Sequence, residues 1–146
     1  MDRAARVPLE RLEILQANPI FSPLPEPTLE QLAEGLEEVD APPGKEVVRQ
    51  GEPGDRFYLV KDGALEVYID GKLVQTLGPG DSFGEIALLR DVPRTATVRG
   101  KTAATLYALD RRAFLTAVTG FGPSLSAAEA VIGMRLGPAP SGIVRA

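Results

Sequence analysis

A mainly β fold of the α+β class, set between helical flanks, is what this sequence predicts. Three observations carry that expectation. Gly/Pro turn signals recur at nearly regular spacing from Ala41 onward, the runs between them alternate apolar and polar residues, and both ends of the chain have helical periodicity. Many short strands joined by such turns indicate a sandwich or barrel, and a double-sheet jelly roll is one way to shelter the strand edges.

Taken in order, Leu9 to Ala17 reads as a short helix stopped by Asn18-Pro19. Pro-rich PLPEP then leads to Thr28, placed to cap a second helix with Gln31 in a capping-box arrangement. Leu29, Leu32, Ala33 and Leu36 give that helix one apolar face. From Ala41 the texture changes: Pro42-Pro43-Gly44, Glu52-Pro53-Gly54, Lys61-Asp62-Gly63, Asp70-Gly71 and Gly78-Pro79-Gly80 punctuate short runs. In ALEVYI, Leu65, Val67 and Ile69 share one face and Glu66 and Tyr68 the other. Ile69-Asp70-Gly71-Lys72 predicts a tight hairpin, because Asp-Gly suits the positive φ angles of a primed turn. Around Asp110 the chain turns helical again through RRAFLTAV. A last helix is expected from about Ser126 to Leu136, with Leu125, Ala128, Ile132 and Leu136 on one side and a capping box of Ser126 and Glu129. Gly137-Pro138 would end it, and PAPSGIVRA is expected to be a flexible tail. No internal repeat is visible.

Composition narrows the function. The 146 residues suit one domain with one core. A net charge of -4 argues against a nucleic-acid surface, where a basic stripe is expected. Without cysteine there are no disulfides, and without histidine there is no imidazole metal site and no His-based triad. No nucleophile–base pair, metal cluster or Walker loop is visible, so no enzyme and no metal are expected. No apolar run approaches the roughly 20 residues that span a bilayer, and the N-terminus lacks the apolar centre of a signal peptide. The expected location is cytoplasmic, including the cytosolic domain of a membrane protein. The Ala-, Gly-, Pro- and Arg-rich composition suggests a GC-rich bacterial source.

The stretch FGEIALLRDVPRTATV, Phe83 to Val98, carries the chemistry. Phe83-Gly84-Glu85 would close a turn, and Ile86 to Leu89 suits one short helical turn. Backbone N–H groups at a helix start lack intrahelical partners and attract an anion. Gly84 lets backbone approach a ligand without a Cβ in the way. Glu85 can accept hydrogen bonds from a diol, and Arg94 can pair with a phosphate through its planar fork. A group that is both sugar and phosphate would satisfy all of them, which points to a nucleotide. Read alone, Arg94 is as well explained as a surface arginine after a proline, and Asp55 as a turn residue after Gly54.

The stretch resembles the phosphate-binding cassette of the cyclic nucleotide-binding domain family, in particular the domains of the cAMP-dependent protein kinase regulatory subunit. It is also similar to the sensor domain of bacterial catabolite-activator-type regulators. The matching residues are Phe83, Gly84, Glu85, Ala87, Leu88, Arg94, Thr95, Ala96, Thr97 and Val98, without an insertion. QGEPGDRFYLVKDGALEVY, from Gln50 to Tyr68, looks like the paired strands that precede the cassette, and LYALDRRAF, from Leu106 to Phe114, like the last strand entering the hinge helix.

The resemblance implies one domain: helices over 1–40, a double-stranded β-helix jelly roll over 41–110 with the cassette at 83–98, hinge and lid helices over 111–137, and a tail over 138–146. It implies that Arg94 binds a cyclic phosphate, that Asp55 holds Arg94, and that Glu85 accepts from the ribose 2′-hydroxyl. Phe83, Gly84, Ile86, Ala87 and Ala96 would supply backbone contacts or room, and Leu88 with Phe114 would couple binding to the hinge helix. Thr95 can bond a guanine amino group, yet it leaves cAMP and cGMP undecided. The base lid would come from the last helix, with Arg135 a candidate beside Val131, Ile132 and Met134, or from Phe121 before it. The ligand would be cAMP or cGMP, with an effector domain attached or associated. A DNA-reading module does not fit in the roughly 35 residues after Arg111. The remaining alternative is a degenerate jelly roll that engages a protein and no nucleotide.

Overall fold

Phe57-Tyr58-Leu59-Val60 is apolar at every position, and the computed structural model, which describes residues 8–136 with side chains as far as Gly133, buries both of its faces. These residues form the middle of β3 (Arg56–Asp62). Tyr58 and Val60 enter a core with Leu65, Val67, Leu77, Phe83, Val98 and Leu106. Phe57 and Leu59 enter a second core that the helices complete. A strand covered on both sides has no reason to alternate.

Among the described residues, eight strands build two antiparallel sheets of four. The first has the order β1 (Glu37–Ala41), β8 (Ala104–Asp110), β3, β6 (Ser82–Phe83); the second has β2 (Glu46–Val48), β7 (Thr97–Gly100), β4 (Leu65–Ile69), β5 (Lys72–Leu77). This is the mainly β, double-sheet jelly roll expected. Strand β1 begins at Glu37, ahead of the change of texture at Ala41, where pairing with β8 makes a strand of residues whose weak apolar alternation hides it in the sequence. One expectation is corrected. Strands β3 and β4 are consecutive but not paired with each other, since each lies in a different sheet. Gly63 makes the crossing: its φ is +85°, and a Cβ there would collide with Ala103 O.

The hairpin between β4 and β5 is as expected, with Ile69 opposite Lys72 and positive φ at Asp70 (53°) and Gly71 (79°). Leu65 and Val67 face the inter-sheet core while Glu66 and Tyr68 stay partly exposed.

Helix α1 (Leu9–Ala17) ends at Asn18. Two helix starts differ from expectation for one reason. Helix α2 (Glu26–Glu34) starts after Pro25 rather than at Thr28, with Pro27 inside its first turn. Helix α5 (Gly122–Leu136) starts before Pro123 rather than at Ser126. Proline fits a first turn because its φ is preset and its missing N–H would have no helical partner. Helix α4 (Arg111–Thr119) is capped by Asp110, whose carboxylate accepts from Ala113 N at 2.8 Å.

All four of these helices contribute to the core on the outer face of the first sheet. Phe57 stacks on Phe114 with centroids 4.9 Å apart, and Phe21 meets both edge-on. Two buried polar residues fix this layer. Asn18 accepts from Ile20 N and donates to Ser82 Oγ, and the Ser124 hydroxyl donates to Ile20 O. The helices are thereby tied to β6, which leads into the Phe83–Val98 stretch. Among the described residues, no single helix is long and apolar enough to cross a membrane.

Candidate functional site

Phe83 is anchored between the sheets, stacked on Tyr58 at 5.0 Å, and this fixes where the next residue must turn. Gly84 turns with φ +105° and opens helix α3 (Glu85–Arg90). A Cβ on Gly84 would stand 2.8 Å from Arg94 Nη1 and 2.9 Å from Arg56 O, so glycine is required by both backbone and space. Asp91, at φ 54°, closes the helix.

Arg94 is buried, with only 6% of its surface exposed. Its Nη2 donates to Arg56 O at 2.7 Å and its Nη1 to Gly84 O at 3.4 Å, while the guanidinium stands 6.0 Å from the Tyr58 ring centroid. Burial pushes its pKa down; Tyr58, Asp55 and Glu85 pull the other way. A guanidinium stays protonated in either case, so a cation is held inside the protein. Its backbone is held as firmly. Gly51 N donates to Arg94 O and Arg94 N to Glu52 O, each at 2.8 Å, which seats the Gly51–Asp55 loop against the site.

The structure brings Phe83, Gly84, Ala87, Arg94, Thr95 and Ala96 around one cavity, together with Val48 from β2. Sequence reasoning missed Val48, because an aliphatic residue in a three-residue strand carries no chemical signal. It also missed Tyr58, the platform under Arg94, whose place is set only by the pairing of β3 with β6. The cavity is about 10 Å³, room for about one water. The Thr95 hydroxyl is buried at its edge and has no hydrogen-bond partner among the described residues.

Other expected residues sit nearby or elsewhere. Glu85 is fully buried at the start of α3, close enough to act on the Arg94 charge, and Ile86 beside it is also buried. Asp55 is exposed; it acts on Arg94 through space, while the described hydrogen bonds of the guanidinium run to the Arg56 and Gly84 carbonyls. Leu88 and Phe114 share the helix-side core. Of the lid candidates, Phe121 lines a separate groove of about 530 Å³ between α2 and α4, away from Arg94, and Val131 packs on the helix-side core. The side chains of Arg135 and Met134 lie outside the described residues.

Comparison with known proteins gives the family and the fold. The chain is 38% identical over 95 residues to the cAMP-dependent protein kinase type II regulatory subunit of Drosophila melanogaster, an alignment covering 65% of this chain and 25% of that protein. It therefore spans about a quarter of that relative's length. Among solved structures it is similar to the regulatory domain of Toxoplasma gondii protein kinase A crystallised with cAMP, at TM-score 0.74 and 28% identity, covering 93% of this chain and 53% of that one. It is also similar to the sensor domain of the transcriptional regulator DNR from Pseudomonas aeruginosa, at TM-score 0.75 and 26% identity, covering 87% of this chain and 94% of that one. The family model described as cyclic nucleotide-binding domain matches residues 38–119, more than half of the chain, and the chain belongs to that family.

Proposed function

We propose that this chain is a regulatory sensor domain that binds a cyclic purine nucleotide, cAMP or cGMP, and has no catalytic activity of its own. The observation that carries this reading is the buried Arg94 guanidinium, set beside Gly84 and the first turn of α3 in the lining of one small cavity. In this reading the cyclic phosphate takes the guanidinium fork and the α3 amides, Glu85 accepts from the ribose 2′-hydroxyl, and Val48, Thr95 and Ala96 meet the rest of the ligand. Leu88 and Phe114 then carry movement of the cassette helix to α4 and α5, within one domain made of the helical segments, the jelly roll and the cassette at 83–98. The effector acted upon, attached or associated, belongs to the rest of the protein or to a partner. Arg135 remains the proposed lid.

The small cavity favours a second reading. At about 10 Å³ it admits no phosphate without movement, and a degenerate jelly roll that binds a protein alone would need none. Calorimetric titration with cAMP and cGMP, after unfolding and refolding to strip carried-over nucleotide, separates the two. Wild type should bind at least one nucleotide, and Arg94→Ala should lose roughly 2–5 kcal/mol of binding, because a desolvated anion loses its partner. Equal affinity in wild type and Arg94→Ala would remove the phosphate role, and no binding by wild type would leave the protein-interaction reading.

A further inference from the structure

The groove between α2 and α4, about 530 Å³, is far larger than the Arg94 cavity of about 10 Å³. It falls within the roughly 300–1,000 Å³ of small-molecule sites. Its direction follows from the fold. Helix α2 ends just before Glu37, whose strand partner Ala108 lies just before Asp110, the cap of α4. At the opposite ends of the two helices, the Ser124 hydroxyl donates to Ile20 O. The helices therefore run antiparallel, and with nine residues each they wall a trough about 13 Å long.

Polarity changes along this trough. Leu24 and Phe121 line the end where α4 finishes, Leu32 and Ala117 continue an apolar floor, and Arg112 lines the end where α4 starts. Arg112 is exposed and makes no ion pair or side-chain hydrogen bond among the described residues, unlike its neighbour Arg111, which is paired with Asp91. Asp110, at the same end, is committed to the α4 cap, where it accepts from Ala113 N. An apolar trough with one unpartnered guanidinium at a single end matches an amphipathic anion, tail to floor and head to cation. One cation with an aspartate at the same end suits a single negative charge better than the nearly two of a phosphate monoester.

We propose that this groove is a ligand site for a medium-chain aliphatic carboxylate, with the carboxylate at Arg112 and the chain running towards Phe121. The site is independent of the nucleotide reading, since no residue lines both the groove and the Arg94 cavity. A ligand there ties α2 to α4 and stabilises the fold by mass action.

Calorimetric titration of wild type with octanoate and decanoate, each below its micellar concentration, tests the site. Each methylene should raise affinity about three- to four-fold, so decanoate should bind about ten- to fifteen-fold more tightly than octanoate. Arg112→Gln should weaken decanoate by about two- to five-fold, the range of an exposed ion pair, and leave decanol unchanged. Arg90→Gln removes the same charge from a pair with Glu129 outside the groove, and should change neither probe. Thr116 is exposed and lines the groove, so Thr116→Trp should fill it and abolish binding of both probes. Circular dichroism melting checks that this variant folds; if it does not, the two arginine variants decide. No binding by wild type, or equal weakening by Arg112→Gln and Arg90→Gln, overturns the proposal. Binding that survives in folded Thr116→Trp also overturns it, because the ligand then sits elsewhere. If wild type self-associates without binding either carboxylate and Thr116→Trp yields monomers, the groove is an interface between copies and the carboxylate site falls.

Discussion

Gly54→Ala tests how closely the strand loop is fitted to the candidate site. Gly54 is buried and does not occupy the left-handed region, so alanine brings no backbone strain there. It brings a clash. The new Cβ would stand 2.7 Å from Ala87 Cβ and 2.9 Å from both Arg94 Cζ and Nε. Carbon pairs are at ease near 3.5–4.0 Å, so about an ångström must be found. Neither neighbour is a loose end: Ala87 belongs to α3, and Arg94 is fixed to two carbonyls. Overpacking of this kind costs about 1–3 kcal/mol, offset by about 0.4–1 kcal/mol from the stiffer unfolded chain. The net loss is about 1–2 kcal/mol. With roughly 2 cal/mol/K of unfolding entropy per residue, that lowers the melting temperature by about 3–6 °C. Circular dichroism melts should be run beside Gly78→Ala, where a Cβ meets nothing within 4 Å and φ is again ordinary. That control should melt with wild type or slightly above it. A Gly54→Ala protein that does the same would refute the close fit of loop, cassette helix and Arg94.

Two further substitutions address the core and the platform. Phe114 is fully buried between Phe21 and Phe57, so Phe114→Ala should destabilise by about 3–5 kcal/mol in urea unfolding; a loss under about 1 kcal/mol would show that the site collapses around the gap. Burial holds the Tyr58 phenol above its usual 10, so as pH rises the unfolded chain releases this proton before the folded one does. The contribution of Tyr58 to stability is therefore complete below about pH 10 and declines above it. Tyr58→Phe should lose less stability than wild type between about pH 9 and about pH 11, and equal losses would show that the phenol does not titrate as a buried group.

The parts of the fold legible in the sequence were those set by neighbours along the chain. Asp70-Gly71 specified its own turn because only certain residues accept positive φ at both central positions, and Asn18-Pro19 stopped α1 through a local clash. The helix starts at Glu26 and Gly122 escape the sequence reading because a good capping residue downstream competes with a proline that fits a first turn. The candidate site divides the same way. Phe83 to Arg94 lies within a dozen residues and was read as a unit, whereas Val48 and Tyr58 reach Arg94 only because β2 pairs with β7 and β3 with β6.

By itself, then, the sequence determined a mainly β domain with one contiguous Phe83–Val98 motif, since turn chemistry, alternation and a contiguous motif are local properties. Tertiary structure decided the rest. It placed β3 and β4 in different sheets, sent the Arg94 fork to the Arg56 and Gly84 carbonyls with Asp55 left at the surface, and brought Arg90 to Glu129 across 39 positions. Each of these depends on which surfaces bury one another, and a linear pattern of residue types leaves that choice open until the two cores have formed.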